Sequence, residues 1–119
     1  MATYTGSTGN DTLTGSTVAD ILYGGDGNDL LNGLAGADQI FGGNGTDTAS
    51  YTASTLGVNV NLSANTGSGG DAAGDTFSLV ENVTGSGLGD TLTGDGNVNV
   101  LTGAAGNDLL YGGLGIDSL

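Results

Sequence analysis

A repeat of nine residues runs through both ends of the chain and restricts what it can fold into. Aligned on the first glycine, residues 6–50 divide into five units, GSTGNDTLT, GSTVADILY, GGDGNDLLN, GLAGADQIF and GGNGTDTAS. The same frame returns in residues 85–119 as GSGLGDTLT, GDGNVNVLT, GAAGNDLLY and the shorter GGLGIDSL. Position six is Asp except at Asn99, and position eight is Leu or Ile except at Ala49. Such a period indicates a solenoid in which neighbouring units stabilise one another.

Each unit is expected to form one turn and one short strand. The glycines at its start permit positive φ and tight turning, and the residue at position eight of an extended segment points inward. Two units complete an 18-residue coil, so successive strands alternate between two parallel sheets. One sheet then stacks Leu13, Leu31 and Ala49, and the other stacks Leu22 and Ile40. The predicted fold class is all-β, a parallel β-roll of about six coils.

Residues 51–84 interrupt the visible period, but a shifted alignment continues it. The segment 70–78 reads as a full unit and 79–84 as a shortened one. These shifted units place the following residues at positions six and eight: Asp75 and Phe77, then Glu81 and Val83. We therefore expect the alternation between the two sheets to run through this region unbroken.

The first part of the same region predicts a further strand. Residues 57–62, GVNVNL, alternate apolar and polar side chains with the period of two that is typical of a strand. Residues 63–69, SANTGSG, are expected to form an excursion loop. Together these segments predict a single domain over residues 1–119 with twelve alternating strands.

The composition limits which ligands the chain can bind. It has no Lys, Arg, His or Cys against thirteen Asp and Glu, a formal net charge of −13. No cationic side chain can meet a phosphate, so nucleic acid and anionic membranes are excluded as partners. Without thiolate and imidazole, zinc, copper and iron lose their usual ligands, and oxygen-only coordination favours calcium or magnesium. No apolar run is long enough to span a bilayer, and MATYTGSTGN lacks the features of a signal peptide.

The units follow the pattern GGxGxDxUx, in which U is aliphatic, and the chain thereby resembles the RTX, or haemolysin-type, calcium-binding repeats. These repeats occur in secreted toxins, serralysin-type proteases, lipases, giant adhesins and mannuronan epimerases. The middle stretches GVNVNL and ENVTGS are similar to the repeat modules of mannuronan C5-epimerases. The resemblance implies that each calcium ion lies between turns of adjacent coils, held by one carboxylate from each turn and by several backbone carbonyls.

The resemblance also implies which residues are ligands, because the paired turns come from units two apart. The implied pairs are Asp11 with Asp29, Asp20 with Asp38, Asp29 with Asp47, and Asp90 with Asp108. The predicted side-chain ligands are Asp11, Asp20, Asp29, Asp38, Asp47, Asp75, Asp90, Asp108 and Asp117, with Asn99 and Glu81 as weaker ones. The predicted carbonyl ligands are those of Gly6, Gly9, Gly24, Gly25, Asp26, Gly27, Gly33, Gly36, Gly42, Gly43, Asn44, Gly45, Gly103, Gly106, Gly112 and Gly113.

Strict alternation of the strands predicts how these side chains are divided between the two edges of the roll. One edge would carry a carboxylate at every level: Asp11, Asp29, Asp47, Asp75, Asp90 and Asp108. The other would carry Asp20 and Asp38, no acidic residue before the strand 57–62, and then Glu81, Asn99 and Asp117. We therefore expect a continuous calcium ladder on the first edge and an interrupted ladder on the second.

Calcium binding is expected to contribute folding free energy, because stacked carboxylates repel one another in the absence of the ion. Extracellular calcium modules bind at about 10⁻⁴–10⁻³ M, so the sites would fill outside the cell. We expect a secreted or cell-surface chain that is disordered without calcium and folds after export. The GIDSL ending faintly resembles a type I secretion signal. The predicted role is a structural module, such as a spacer, fibre or secretion-assisting unit. The alternative is an accessory carbohydrate-associated module of a secreted polysaccharide-modifying enzyme.

Other readings of the glycine-rich and acidic stretches fit poorly. An EF-hand would need flanking helices and a Glu at loop position twelve, and a nucleotide loop would need a P-loop lysine. No constellation of carboxylates stands apart from the repeat, so the chain is not expected to be an enzyme. Ile21, Tyr23 and Phe41 are expected to point outward, either as scattered surface residues or as a self-association patch. End-to-end stacking and binding to a polysaccharide are the other partner hypotheses.

Overall fold

The computed structural model describes all residues from 1 to 119, and its regular structure is almost entirely strand. The only helix is a short 3₁₀ turn, Gly70–Ala72, and no helix is long and apolar enough to cross a membrane. The thirteen strands are β1 Thr3–Thr5, β2 Thr12–Thr14, β3 Ile21–Gly25, β4 Leu30–Asn32, β5 Gln39–Gly43, β6 Thr48–Ser50, β7 Asn59–Asn61, β8 Thr66–Ser68, β9 Thr76–Ser78, β10 Asn82–Thr84, β11 Thr91–Thr93, β12 Leu101–Thr102 and β13 Leu109–Tyr111.

The strands form two sheets, and consecutive strands of the regular repeat alternate between them. The larger sheet, sheet A, has the order β1-β3-β5-β9-β8-β7-β11-β13, and the smaller one, sheet B, has the order β12-β10-β6-β4-β2. All pairings are parallel except those of β8. Pairs such as Leu13 with Leu31 and Leu22 with Ile40 lie one coil apart. The prediction of an all-β parallel roll is confirmed.

The core lies between the two sheets and consists mainly of position-eight side chains. The position-eight residues that are buried are Leu22, Leu31, Ile40, Ala49, Phe77, Val83, Leu92 and Leu101. Leu13 and Leu110, near the two ends of the roll, are partly buried against this cluster. Val58, Val60 and Leu62 are also buried, as their alternation predicted. The middle of the chain adds three core residues that the repeat pattern does not indicate: Tyr51, Ala72 and Val80.

The middle of the chain departs from the predicted alternation. Strand β8, Thr66–Ser68, lies where an excursion loop was expected, and it pairs antiparallel with both β7 and β9. The chain therefore folds back on itself within sheet A, and β7 and β9 belong to the same sheet instead of to opposite ones. Every later strand consequently lies in the sheet opposite to the one predicted. Val83 stacks on Ala49 in sheet B, and Phe77 stacks on Ile40 in sheet A.

The two ends of the roll also differ from the expected strand count. An additional strand, β1, precedes the first repeat unit and pairs with β3 in sheet A. The final unit forms only an isolated bridge between Val100 and Ser118. On the outer face of sheet A, Tyr23 is 42% exposed and Phe41 is half-buried, as expected of residues that point outward. Their rings stack with centroids 4.9 Å apart.

Candidate metal centre

The position-six side chains line the two edges of the roll and form hydrogen-bonded ladders. Along most of each edge, one oxygen of a position-six side chain accepts the backbone N–H of the position-six residue on the preceding coil. Asp11 N–H donates to Asp29 Oδ1 at 2.8 Å, and Asp20 N–H donates to Asp38 Oδ1 at 2.8 Å. We name these ladders edge 1, formed by Asp11, Asp29, Asp47, Glu81, Asn99 and Asp117, and edge 2, formed by Asp20, Asp38, Asp75, Asp90 and Asp108. Asn99 is the exception on edge 1, because its side-chain amide donates to the carbonyl oxygen of Glu81 at 2.7 Å.

The membership of the two edges corrects the predicted arrangement. The four predicted pairs of neighbouring carboxylates are present, but Asp47 N–H donates to Glu81 Oε2 and Asp38 N–H donates to Asp75 Oδ1. Edge 1 therefore continues into Glu81, not into Asp75, because strand β8 shifts the alternation by one strand. On edge 2 the carboxylates are interrupted after Asp75, where the N–H of Val58 is the donor to Asp90 Oδ1. The prediction of one edge with an Asp or Glu at every level was wrong.

In four turns, which we name the closed turns, the position-six side chain accepts a hydrogen bond from a donor within the same turn. They are residues 6–11, 15–20, 85–90 and 94–99. In 15–20, the backbone N–H and the hydroxyl of Ser16 donate to Asp20 Oδ2 at 2.7 and 2.6 Å. Ser86 donates to Asp90, and Ser7 donates to Asp11, through the same two groups. In 94–99 the N–H of Asp95 donates to Asn99 Oδ1 at 3.0 Å.

Five turns, which we name the open turns, lack this internal bond. They are residues 24–29, 33–38, 42–47, 103–108 and 112–117. Their second residues have positive φ: Gly25, Leu34, Gly43, Ala104 and Gly113. Their fourth residues also have positive φ: Gly27, Gly36, Gly45, Gly106 and Gly115. In three of these turns the carboxylate is buried, and the Oδ2 atoms of Asp29, Asp38 and Asp47 have no hydrogen-bond partner.

Burial and hydrogen bonding shift the pKa values of three position-six carboxyls in different directions. Burial raises the pKa of Asp38 to about 6, and it also raises the pKa of Asp47. In the closed turn 15–20, the hydrogen bond from the Ser16 hydroxyl lowers the pKa of Asp20. A carboxylate that is buried without enough donors favours its neutral form, whereas one that accepts several hydrogen bonds favours its charged form.

Asp75 has a third kind of environment, because a buried tyrosine contacts it. The hydroxyl of Tyr51 donates to Asp75 Oδ2 at 2.6 Å, and both residues are 1% exposed. Burial raises the pKa of Asp75 to about 7, although the bond from Tyr51 opposes this shift. Burial, together with the neighbouring carboxylate, raises the pKa of Tyr51 well above its usual value. Asp75 is thus satisfied by a side chain from outside its own turn.

The open turns fit a divalent cation that prefers oxygen ligands. An unpartnered buried carboxylate oxygen is costly unless a charge or a donor satisfies it, and the chain has no cationic side chain. A Cβ at Gly24 would lie 2.5 Å from both Asp29 Oδ2 and the carbonyl oxygen of Gly42, so carboxylate and carbonyl oxygens converge beside this glycine. No three Asp or Glu side chains converge. Backbone carbonyls would therefore have to complete the six to eight oxygens that calcium takes.

The sequence of the chain matches a family model that agrees with this geometry. The model of the RTX calcium-binding nonapeptide repeat (4 copies) matches residues 3–17, 14–49 and 84–119. The chain belongs to the RTX calcium-binding nonapeptide repeat family. It is therefore a calcium-binding repeat module, and this family is a structural one and not a family of enzymes. A comparison with curated protein sequences gave no match.

The nine predicted Asp residues all lie in the turns of the two edges, in three different environments: open turns, closed turns and the contact with Tyr51. Their assignment as calcium ligands, like that of the carbonyls, stays a prediction. The sequence analysis did not single out Ser7, Ser16, Ser86 or Tyr51. The serines carried a signal, since Ser occupies position two in three units, but nothing in the repeat pattern indicates Tyr51.

Proposed function

We propose that this RTX chain is an extracellular structural module whose open turns bind calcium and which folds when they do so. The observation that carries the proposal is the set of unpartnered buried Oδ2 atoms at Asp29, Asp38 and Asp47. No donor from the protein satisfies them, and a divalent ion would do so while neutralising like charges along the edge. Binding an ion that the unfolded chain holds poorly stabilises the folded state by mass action.

The overall charge supports the same coupling between calcium and folding. A net charge of −13 without a single Lys, Arg or His makes the folded chain repel itself in the absence of cations. Twenty-six glycines raise the conformational entropy that folding must overcome. Without bound cations, only the burial of the thin core would offset this charge repulsion and this loss of entropy. Ions at the open turns would offset the first and cross-link successive coils against the second.

The proposed location follows from the affinity expected of such sites. Extracellular calcium modules bind with a Kd of about 10⁻⁴–10⁻³ M, which is met outside cells. The chain would remain unfolded until it is exported and would fold where calcium is abundant. Its role would then be mechanical, as a spacer or fibre unit, or it would assist secretion of a neighbouring domain.

Far-UV circular dichroism of the chelated chain during a calcium titration tests the proposal. We expect a cooperative gain of β signal near millimolar calcium and none with magnesium, which is smaller and demands octahedral geometry. Asp38→Asn should move the midpoint to higher calcium, because it removes a charge from a buried unpartnered site. Asp26→Asn is the matched control, since it removes the same charge from an exposed position. A chain that is fully folded in chelator, or two variants with the same midpoint, would contradict the proposal.

Binding to a polysaccharide and self-association stay predictions. Glycan binding measured in calcium separates a carbohydrate module from a purely structural one. Sedimentation velocity of the calcium-loaded chain, compared with a Tyr23→Ser variant, tests association through the exposed aromatic stack of Tyr23 and Phe41. If the unchanged chain and the Tyr23→Ser variant both sediment as monomers, this surface does not mediate self-association.

A further inference from the structure

We infer that a serine at position two keeps a turn free of calcium, because its backbone N–H and its hydroxyl take the place of the ion. This inference rests on the proposed function, because it distributes the proposed calcium sites among the nine regular turns. It predicts that the turns 6–11, 15–20 and 85–90 bind no metal ion. They nevertheless carry the same glycine at position one and the same Asp at position six as the open turns.

The two kinds of turn share most of the groups that surround the position-six carboxylate. Gly15 of a closed turn and Gly33 of an open turn both stand at position one, and Asp20 and Asp38 both stand at position six. In both turns, Oδ1 of the carboxylate accepts an N–H from the preceding coil at 2.8 Å. Only the second oxygen differs: Oδ2 of Asp20 accepts two donors from Ser16, whereas Oδ2 of Asp38 has none.

The serine of a closed turn satisfies the carboxylate oxygens that an ion would otherwise satisfy. With its backbone outside the positive-φ region, Ser16 directs both its N–H and its hydroxyl at the carboxylate. Ser86 does the same within a site where it and Asp90 are 1% and 2% exposed. Hydrogen bonds to a carboxylate are charge-assisted and strong. An ion at such a turn would have to displace both donors, whereas at an open turn it displaces none.

The residue at position four also determines whether a turn can adopt the open form, because this form needs a positive φ at that position. All five open turns have a glycine with positive φ at this position. Among the closed turns, 15–20 and 85–90 have Val18 and Leu88 there, which adopt positive φ only with strain. Turn 6–11 differs, because its fourth residue is Gly9. In that turn, Ser7 at position two is therefore the feature that distinguishes it from the open turns, whose second residue is Gly, Leu or Ala.

The consequence is an uneven distribution of ions along the roll. Open turns occur in two blocks, residues 24–47 and residues 103–117. Closed turns come before the first block and, at 85–99, before the second. The coils of 15–20 and 85–90 carry their own donors, so local closure of these turns does not require calcium. Calcium dependence is thereby confined to the coils with open turns.

The test converts one kind of turn into the other near each end of the roll. Ser7→Gly turns GSTGND into GGTGND, and Gly113→Ser turns GGLGID into GSLGID. We expect Ser7→Gly to bind one more calcium ion per chain at saturation than the unchanged protein, and Gly113→Ser to bind one fewer. Equilibrium dialysis measures the stoichiometry, and circular dichroism in calcium verifies that each variant is folded.

Ser16→Gly is the matched control for Ser7→Gly. It removes the same donors, but Val18 at position four still disfavours the open form, so the number of bound ions should not rise. An equal rise in both variants, or no change with Ser7→Gly and Gly113→Ser when both are folded, overturns the inference. A crystal structure of the calcium-loaded protein with an ion on Asp20 Oδ2 or Asp90 Oδ2 overturns it as well. If the unchanged protein binds no calcium at all, the proposed function itself fails, which is a different outcome.

Discussion

Removal of one buried hydroxyl, by Tyr51→Phe, should destabilise the fold in a manner that depends on pH. The hydroxyl donates to Asp75 Oδ2 at 2.6 Å, and both side chains are 1% exposed, so no water can replace it without rearrangement. The ring itself stays in the core. The change in the free energy of unfolding therefore reports the hydrogen bond, and not a loss of packing.

The magnitude follows from the charge of Asp75. At pH 8 this carboxyl, with a pKa of about 7, is mostly ionised, and loss of a hydrogen bond to a charged group costs about 1.5–3 kcal/mol. At pH 5 it is protonated, and loss of a bond between neutral groups costs about 0.5–1.5 kcal/mol. Because the bond from Tyr51 holds the pKa of Asp75 down, Tyr51→Phe raises that pKa further. The destabilisation should therefore grow as the pH rises through about 7.

Urea denaturation at pH 5 and at pH 8, at the lowest calcium concentration that keeps the chain folded, measures both values, with the fitted m-value as a check that the transition is unchanged. Tyr23→Phe is the matched control, since its hydroxyl is on an exposed residue, and it should change stability by less than about 0.5 kcal/mol. A Tyr51→Phe variant as stable as this control at pH 8, or equally destabilised at both pH values, would refute the reasoning.

Two further predictions follow from burial. Asp38 and Asp75 have pKa values raised to about 6 and about 7, so the metal-free fold binds protons more tightly than the unfolded chain does. The stability that these two carboxyls contribute is fully present below about pH 4 and is lost as the pH rises through about 6 to 7. The β signal in chelator should therefore rise from pH 8 to pH 4, and a flat signal would contradict this prediction. Leu22→Ala should lower the free energy of unfolding by about 2–5 kcal/mol, because Leu22 is 0% exposed. Leu114→Ala is the control, since Leu114 is 79% exposed, and it should leave the Tm in calcium nearly unchanged. Similar Tm values for the two variants would show that the sheets do not enclose a packed core.

Much of the fold could be predicted because the period of the sequence equals the period of the structure. A unit of nine residues fixes which side chain faces inward, and the residues at position eight, such as Leu31 and Leu92, are indeed at 0% exposure. The middle could not be predicted in the same way. Strand β8 has the sequence TGS, with no apolar side chain to mark a buried face. Its antiparallel pairing is set by contact with β7 and β9, which a pattern of local residues does not encode.

The candidate site was predictable at position six and not at position two. An Asp at a fixed distance from a glycine indicates a carboxylate in a turn, and that inference needed no tertiary contacts. Whether its second oxygen is bonded depends on the backbone conformation two residues into the turn. Leu34 and Ala104 adopt positive φ there although neither is glycine. A glycine at position two is therefore not required for an open turn.

A buried carboxylate in this roll is satisfied by the chain's own hydroxyl and N–H groups or is left with a free oxygen. The first case occurs at Asp20, Asp75 and Asp90, through Ser16, Tyr51 and Ser86. The second case occurs at Asp29, Asp38 and Asp47, which lie on consecutive turns. Because neighbouring coils stabilise one another in a solenoid, the coils that carry their own donors can support adjacent coils that do not. Calcium would then act on the block of residues 24–47 as a cross-link between coils already positioned by their neighbours, and the closed turns would set where that block begins.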